Sequence, residues 1–334
     1  MTLTANFDLP DKPWPPVHAV SVAEYRDVIA LAVRHNIRSD ANDFPAAFVR
    51  EAQLASGVLP PEVIGTILDF AMHGEGGLLL RELQVGPTPR TPESPHHATT
   101  RLTLMAAQSA ALMSVLGHLV AYRPECLGQL VQTLVPTRKD RYRQTSTGSR
   151  VDLESHTEQC MNLLTRPVFI GLGCLRGDPH AATYLLSARE LQRQLPNGVI
   201  RTLREAQYFT RVDPSFVDGG VPDEVRGPMA VLSGSWDDPA ISYDEDLMFS
   251  PSAEHQAALE LVRQVWHANR HSVVLRPGDL LIVDNTRAVH GRSSFVPQWD
   301  GGDRWLCRVQ VLLDFHATRF ARQPGSPIIE VHGC

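Results

Sequence analysis

The chain has 334 residues, of which 43% are hydrophobic and 20% charged, with a net charge of −6 and a pI near 6.1. That balance supports a buried core and excludes a general nucleic-acid binder, which would carry a basic face and a high pI. It leaves room for a small anionic ligand, because the charge of a pocket need not follow the total.

Residues 1–17 are rich in proline and predict an irregular arm without the basic-then-apolar pattern of a signal peptide. Ser21 and Glu24 have capping-box spacing, and a helix is expected over 23–35, followed by helices over 46–55 and 61–72. The short apolar run 77–81 predicts a strand, and the three prolines of 87–95 a loop. His96 and His97, beside that loop, are expected to be exposed. Residues 103–122 are rich in Ala, Leu and Met and predict the longest helix, with His118 in its core-facing part. From about residue 130 the texture changes to short strand-like runs at 168–175, 229–232, 272–275, 280–283 and 306–315. Helices are expected to interrupt them at 187–194 and 253–269. Short β runs at loop-sized spacings predict a sandwich or jelly roll, and no GxGxxG or P-loop pattern is present. The expectation is a mainly β fold with flanking helices, packed as one unit and divided near residue 130.

The five cysteines have no CxxC or zinc-ligand spacing, so reduced thiols are expected. No uncharged apolar run reaches the ~18–20 residues of a membrane helix. The expectation is a cytoplasmic protein without a membrane or nucleic-acid partner.

Three segments carry the chemistry: LESHTEQC (153–160), VDNTRAVHGRSSF (283–295) and DGGDRWLCRVQ (300–310). His156 and Glu158 are two apart, so on a strand they share one face. His290, between a predicted strand and Gly291, is the best third ligand. Two imidazoles and one carboxylate on one face of an octahedron suit iron(II) that activates oxygen. Arg304 and Arg308 follow His290 by fourteen and eighteen residues, and their even separation also puts them on one strand face. A guanidinium fork binds a carboxylate bidentately, so the pair predicts two carboxylates beside the metal. One suits a dicarboxylic cosubstrate and the other a substrate.

With these residues the chain resembles the clavaminate synthase-like iron(II)/2-oxoglutarate oxygenases, and within them the arginine and asparagine β-hydroxylases. The resemblance runs from about Leu59 to Phe315 and rests on HTE (156–158), DNxRxxHGRxxF (284–295) and DGxDRWLxR (300–308). It implies a double-stranded β-helix (jelly-roll) core over 130–320 in a single oxygenase domain, with 1–129 as a mainly helical flank. His156, Glu158 and His290 match the metal ligands. Arg304 matches the arginine that binds the distal carboxylate of 2-oxoglutarate, with Thr183 as its hydroxyl partner. Arg308 matches a contact to the substrate carboxylate, Glu125 one to its α-amine, and Ser146 a loop residue at the α-carboxylate. Asp213 and Ser215 resemble residues of a lid over about 208–226. Asp244 matches an acid that meets the substrate side chain. Arginine hydroxylases of this kind present two acids two residues apart, whereas Ser242 and Asp246 flank Asp244 here. That departure leaves lysine, citrulline, an arginine derivative or asparagine as the substrate.

The activity so implied is hydroxylation of a free L-amino acid at C3 or C4, with Fe(II), 2-oxoglutarate and O2, in specialised or antibiotic metabolism. Desaturation, cyclisation or a carrier-bound substrate are alternatives within the same chemistry. A metal-binding jelly roll without catalysis is the alternative of another class. The retained Glu158 argues against a halogenase, and a zinc hydrolase would leave Arg304 and Arg308 unexplained.

Overall fold

The computed structural model describes residues 16–95, 103–159 and 164–330. Most of the expected N-terminal arm, His96, His97, Cys160 and Cys334 lie outside the described residues.

In chain order the early strands are β1 (Val17–Ser21), β2 (Gly77–Arg81), β3 (His118–Tyr122), β4 (Gln132–Leu134) and β5 (Leu153–His156). Next come β6 (Phe169–Arg176), β7 (Ala182–Ser187), β8 (Tyr208–Arg211) and β9 (Val225–Met229). Short strands β10 (Leu232–Gly234), β11 (Pro239–Ile241) and β12 (Met248–Phe249) follow. The last are β13 (His271–Val274), β14 (Leu280–Asp284), β15 (Ala288–Arg292), β16 (Trp305–Leu312) and β17 (Ile328–Ile329). Helices α1 (Arg26–Asn36), α2 (Pro45–Ser56), α3 (Pro61–His73) and α4 (Leu104–Met113) belong to the first third of the chain. Helices α5 (Ala188–Arg193), α6 (Asn197–Leu203), α7 (Pro214–Asp218) and α8 (Ala253–Asn269) belong to the rest.

The main sheet runs β1-β2-β14-β6-β16-β3-β17 with β4 added on β16, and a four-stranded sheet runs β13-β7-β15-β5. Strand β14 shows why the two sheets form layers. Its Leu280 and Ile282 join a core with α1–α4, while Leu281 and Val283 join one with Leu185, Val273 and Ala288 of the smaller sheet. The period of two in a strand makes an apolar run such as LLIV buried on both faces. Each such leucine or isoleucine contributes about 1.5–3 kcal/mol relative to exposure. The outer face of the smaller sheet packs Leu186 and Val289 against Leu191, Leu203, Val262 and Trp266 of the later helices. The result is a jelly roll with helices on both sides.

Two expectations are corrected. The helix foreseen over 103–122 ends at Met113, and His118–Tyr122 is a strand of the main sheet. Gly117 marks the change: a Cβ there would lie 2.5 Å from the Leu312 carbonyl oxygen, so the chain must turn tightly onto β16. His118 consequently stacks on Phe315 and hydrogen-bonds Gln53, half-buried at a strand end. Ser21 caps no helix; it ends β1 and donates to Glu82, and α1 begins after Tyr25 without a side-chain cap. The first 129 residues hold α1–α4 and also lend β1, β2 and β3 to the main sheet.

Candidate metal centre and cosubstrate pocket

β5 and β15 pair antiparallel, and His156 and His290 are direct cross-strand partners. Their rings lie 4.4 Å apart. Gly291 allows this approach, because a Cβ there would meet the Leu153 carbonyl at 2.6 Å. Glu158 follows β5 in a turn held by Asn285, whose Oδ1 accepts the Glu158 N–H (2.8 Å) and whose Nδ2 donates to the carbonyls of Glu158 and Pro167. The Glu158 carboxylate comes 3.9 Å from His290 Nε2, and one ligand atom from each of the three residues lies within 4.8 Å of the others. His156 Nδ1 pairs with the Glu154 carbonyl at 2.8 Å, which leaves Nε2 to face the centre.

The donor set fits a divalent metal. Burial and the neighbouring His156 push the His290 pKa down to about 3, so its imidazole is neutral and its lone pair available. Burial works against the charge of Glu158, but Arg308 and the two histidines outweigh it and hold the carboxyl below its ordinary range. A second group, Glu154, Glu245 and His267, also gathers within 4.8 Å. There Glu245 already accepts from Ser155 (2.6 Å) and pairs with His267 (2.9 Å), and the cluster supplies a single imidazole, from the exposed His267.

One cavity is lined by the triad and by Thr183, Arg304, Arg308, Glu125 and Ser146, with Asp213, Ser215, Asp244 and Asp246 also on its wall. On this wall, Thr183 Oγ1 is buried without a hydrogen-bond partner. Arg304 is 7% exposed and pairs with no carboxylate of the described residues. Asp303, which could have neutralised it, instead accepts the N–H groups of Gln298 and Trp299. A buried hydroxyl and a buried guanidinium, both without an anion, fit the distal carboxylate of a keto-diacid.

Arg308 departs from the expectation of a free fork. Its guanidinium donates to Glu125, to Glu158 Oε1 (2.5 Å) and to Gln132 Oε1 (2.6 Å). A buried cation takes the nearest carboxylates, and here the nearest are Glu158 and Glu125. Burial pushes Glu125 upward despite that guanidinium.

Asp244 forms a β-bridge with His156, and its Oδ1 accepts the N–H groups of Asp246 (3.0 Å) and Leu247 (2.8 Å). Burial raises it to about 6. Asp246 is exposed at the rim. Asp213 caps α7, accepting both the N–H and the hydroxyl of Ser215. The stretch expected as a lid contains β8, α7 and the start of β9.

Ser242 lies apart from the other candidate substrate contacts. It is buried outside the cavity wall, and its hydroxyl accepts from Arg166 at 2.6 Å. Two residues escaped the sequence reading: Asn285, which holds the Glu158 turn, and Arg292, a buried member of the cavity wall. Arg292 carried a signal, since it stands two residues after His290 on the same strand and so shares its face.

The profile of the family described as taurine catabolism dioxygenase TauD, TfdA family matches residues 58–310. The chain belongs to the TauD/TfdA family. It is an iron(II)- and 2-oxoglutarate-dependent dioxygenase. It is 43% identical over 288 residues to an L-lysine 3-hydroxylase of Catenulispora acidiphila, covering 84% of this chain and 80% of that one. It is 31% identical over 312 residues to clavaminate synthase 2 of Streptomyces clavuligerus, covering 88% and 92%. The crystal structure of an asparagine oxygenase with Fe(II), 2S,3S-3-hydroxyasparagine and succinate superposes with a TM-score of 0.86 at 28% identity, covering 95% of this chain and all of that one. No single helix among the described residues is long and apolar enough to cross a membrane.

Proposed function

We propose that this TauD-family enzyme hydroxylates free L-lysine at C3. The observation that carries the reading is the mixed polarity of the cavity, whose wall joins the unpaired Arg304 guanidinium, the triad and the acids Asp213, Asp244 and Asp246. The 43% identity to a lysine 3-hydroxylase supports the choice among amino acids with a terminal cation.

Bound at the triad, iron(II) with 2-oxoglutarate and O2 supplies the oxidation that puts one oxygen into a C–H bond and the other into succinate, releasing CO2. The chain's own residues do the rest. Arg304 and Thr183 clasp the distal carboxylate of 2-oxoglutarate. Glu125 takes the α-ammonium of the amino acid, while Arg308 and the Ser146 loop take its α-carboxylate. For this, Arg308 must loosen its hold on Glu158, which a metal drawing on that carboxylate favours. Asp244, with Asp246 and Asp213 nearby, attracts the terminal ammonium and fixes which carbon faces the metal. Errors of about 1 Å in that placement would redirect the reaction. Asp213 and Ser215 on α7 shield the site from water.

The test is reconstitution with Fe(II), 2-oxoglutarate and O2 across the free L-amino acids, reading succinate and a product 16 mass units heavier. Lysine-dependent succinate with a C3-hydroxylated product is expected. Coupled turnover with asparagine or citrulline, and none with lysine, would contradict the reading.

A further inference from the structure

Arg292 is 4% exposed, yet no carboxylate of the described residues pairs with it. Its donors reach only neutral carbonyls: Ser293 (3.1 Å), Ser146 (3.4 Å) and Val151 (3.3 Å). In the β7–β15 ladder it is the direct partner of Thr183, so the two side chains emerge side by side. Its guanidinium and that of Arg304 lie 5.3 and 5.8 Å from the same Phe295 ring. Two buried like charges, unneutralised and flanking an unsatisfied hydroxyl, are costly unless an anion joins them. The nearby acids, Asp152 and Asp178, form no ion pair with either arginine; Asp152 instead accepts the Ser294 N–H and approaches Arg270 at 4.0 Å.

Resting on the reading of this pocket as the 2-oxoglutarate site, we propose that Arg292 is a second positioning residue for the distal carboxylate. It completes a three-sided clasp with Arg304 and Thr183. Because it also holds the Ser146 and Val151 carbonyls, the same side chain ties the cosubstrate end to the loop expected at the substrate's α-carboxylate. A filled cosubstrate pocket then braces that loop before the amino acid arrives.

The experiment is calorimetric titration of the Mn(II)-loaded protein with two probes. One is 2-oxoglutarate; the other is 2-oxopentanoate, which keeps the 2-oxo acid but lacks the distal carboxylate. Arg292→Met should weaken 2-oxoglutarate by about tenfold, the loss expected when one charge-assisted contact goes, and leave 2-oxopentanoate unchanged. Arg292→Gln keeps donors for the loop carbonyls but not the charge, and should lose affinity in the same selective way. Arg292→Lys should recover part of it. Equal weakening of both probes, or none, would overturn the proposal and leave Arg292 a loop brace. A wild-type protein that does not distinguish the probes would instead overturn the cosubstrate reading itself, and this inference with it.

Discussion

Arg304 is buried over the Phe295 ring, and burial drags its pKa down to about 10. Such a group is legible in sequence only through its spacing from His290 and from Arg308, which predicted a shared strand face. Arg292 satisfies the same even-spacing argument from His290 but hid inside a motif read for its histidine. The engagement of Arg308 with Glu125 and Glu158 was not legible, because buried charges choose partners by proximity in space. Asp244 makes a direct prediction at this scale. Its carboxyl sits near 6 because burial disfavours the charge, so below that pH it is protonated and no longer attracts an ammonium. The KM for lysine should rise as pH falls through about 6, and Asp244→Asn should remove that dependence while raising KM at neutral pH. A KM that stays flat to pH 5 in the wild type would dissociate Asp244 from the substrate. Ser242→Asp gives the complementary prediction. The new carboxylate would meet Arg166, not the cavity, so competition between lysine and arginine should show unchanged preference; a shift toward arginine would return residue 242 to the pocket.

At the scale of elements, strong periodicity was read well. Helix α8 spans the expected 253–269, and β14 lies one residue from its expected end. The failure at 103–122 came from a helix buried on every side, α4, running into a strand equally apolar. Neither has a polar face to mark its period, so composition could not separate them. Helix α4 approaches the main sheet closely because β6 carries glycine beneath it. A Cβ at Gly173 would lie 2.3 Å from Ser109 Oγ and 2.8 Å from Cys307 Sγ. Gly173→Ala should therefore destabilise by about 1–3 kcal/mol, as overpacking does, visible as a lower denaturation midpoint at unchanged m-value. An unaltered midpoint would mean that α4 yields readily and is not closely packed. The pairing of β5 with β15 is the element-level feature on which the proposed metal centre depends, since it makes His156 and His290 neighbours.

Across the whole molecule, the jelly roll was legible as a class because short β runs recur between turn residues. The pairing of its strands was not. β2 pairs with β14 some 200 residues away, and β1 joins β2 in parallel; such contacts are set by global topology and not by local pattern. The site was legible to the extent that single strands carried it, and the long-range pairings supplied the rest. The proposed function requires one metal shared by residues from β5, the turn after it and β15, with 2-oxoglutarate reaching from that metal to Arg304. A crystal structure of the Mn(II) and 2-oxoglutarate complex measures this most directly. The metal should be bonded to His156, Glu158 and His290, with the distal carboxylate of 2-oxoglutarate on Arg304 and Thr183. Metal held instead by Glu154, Glu245 and His267, or an Arg304 with no carboxylate against it, would contradict the account.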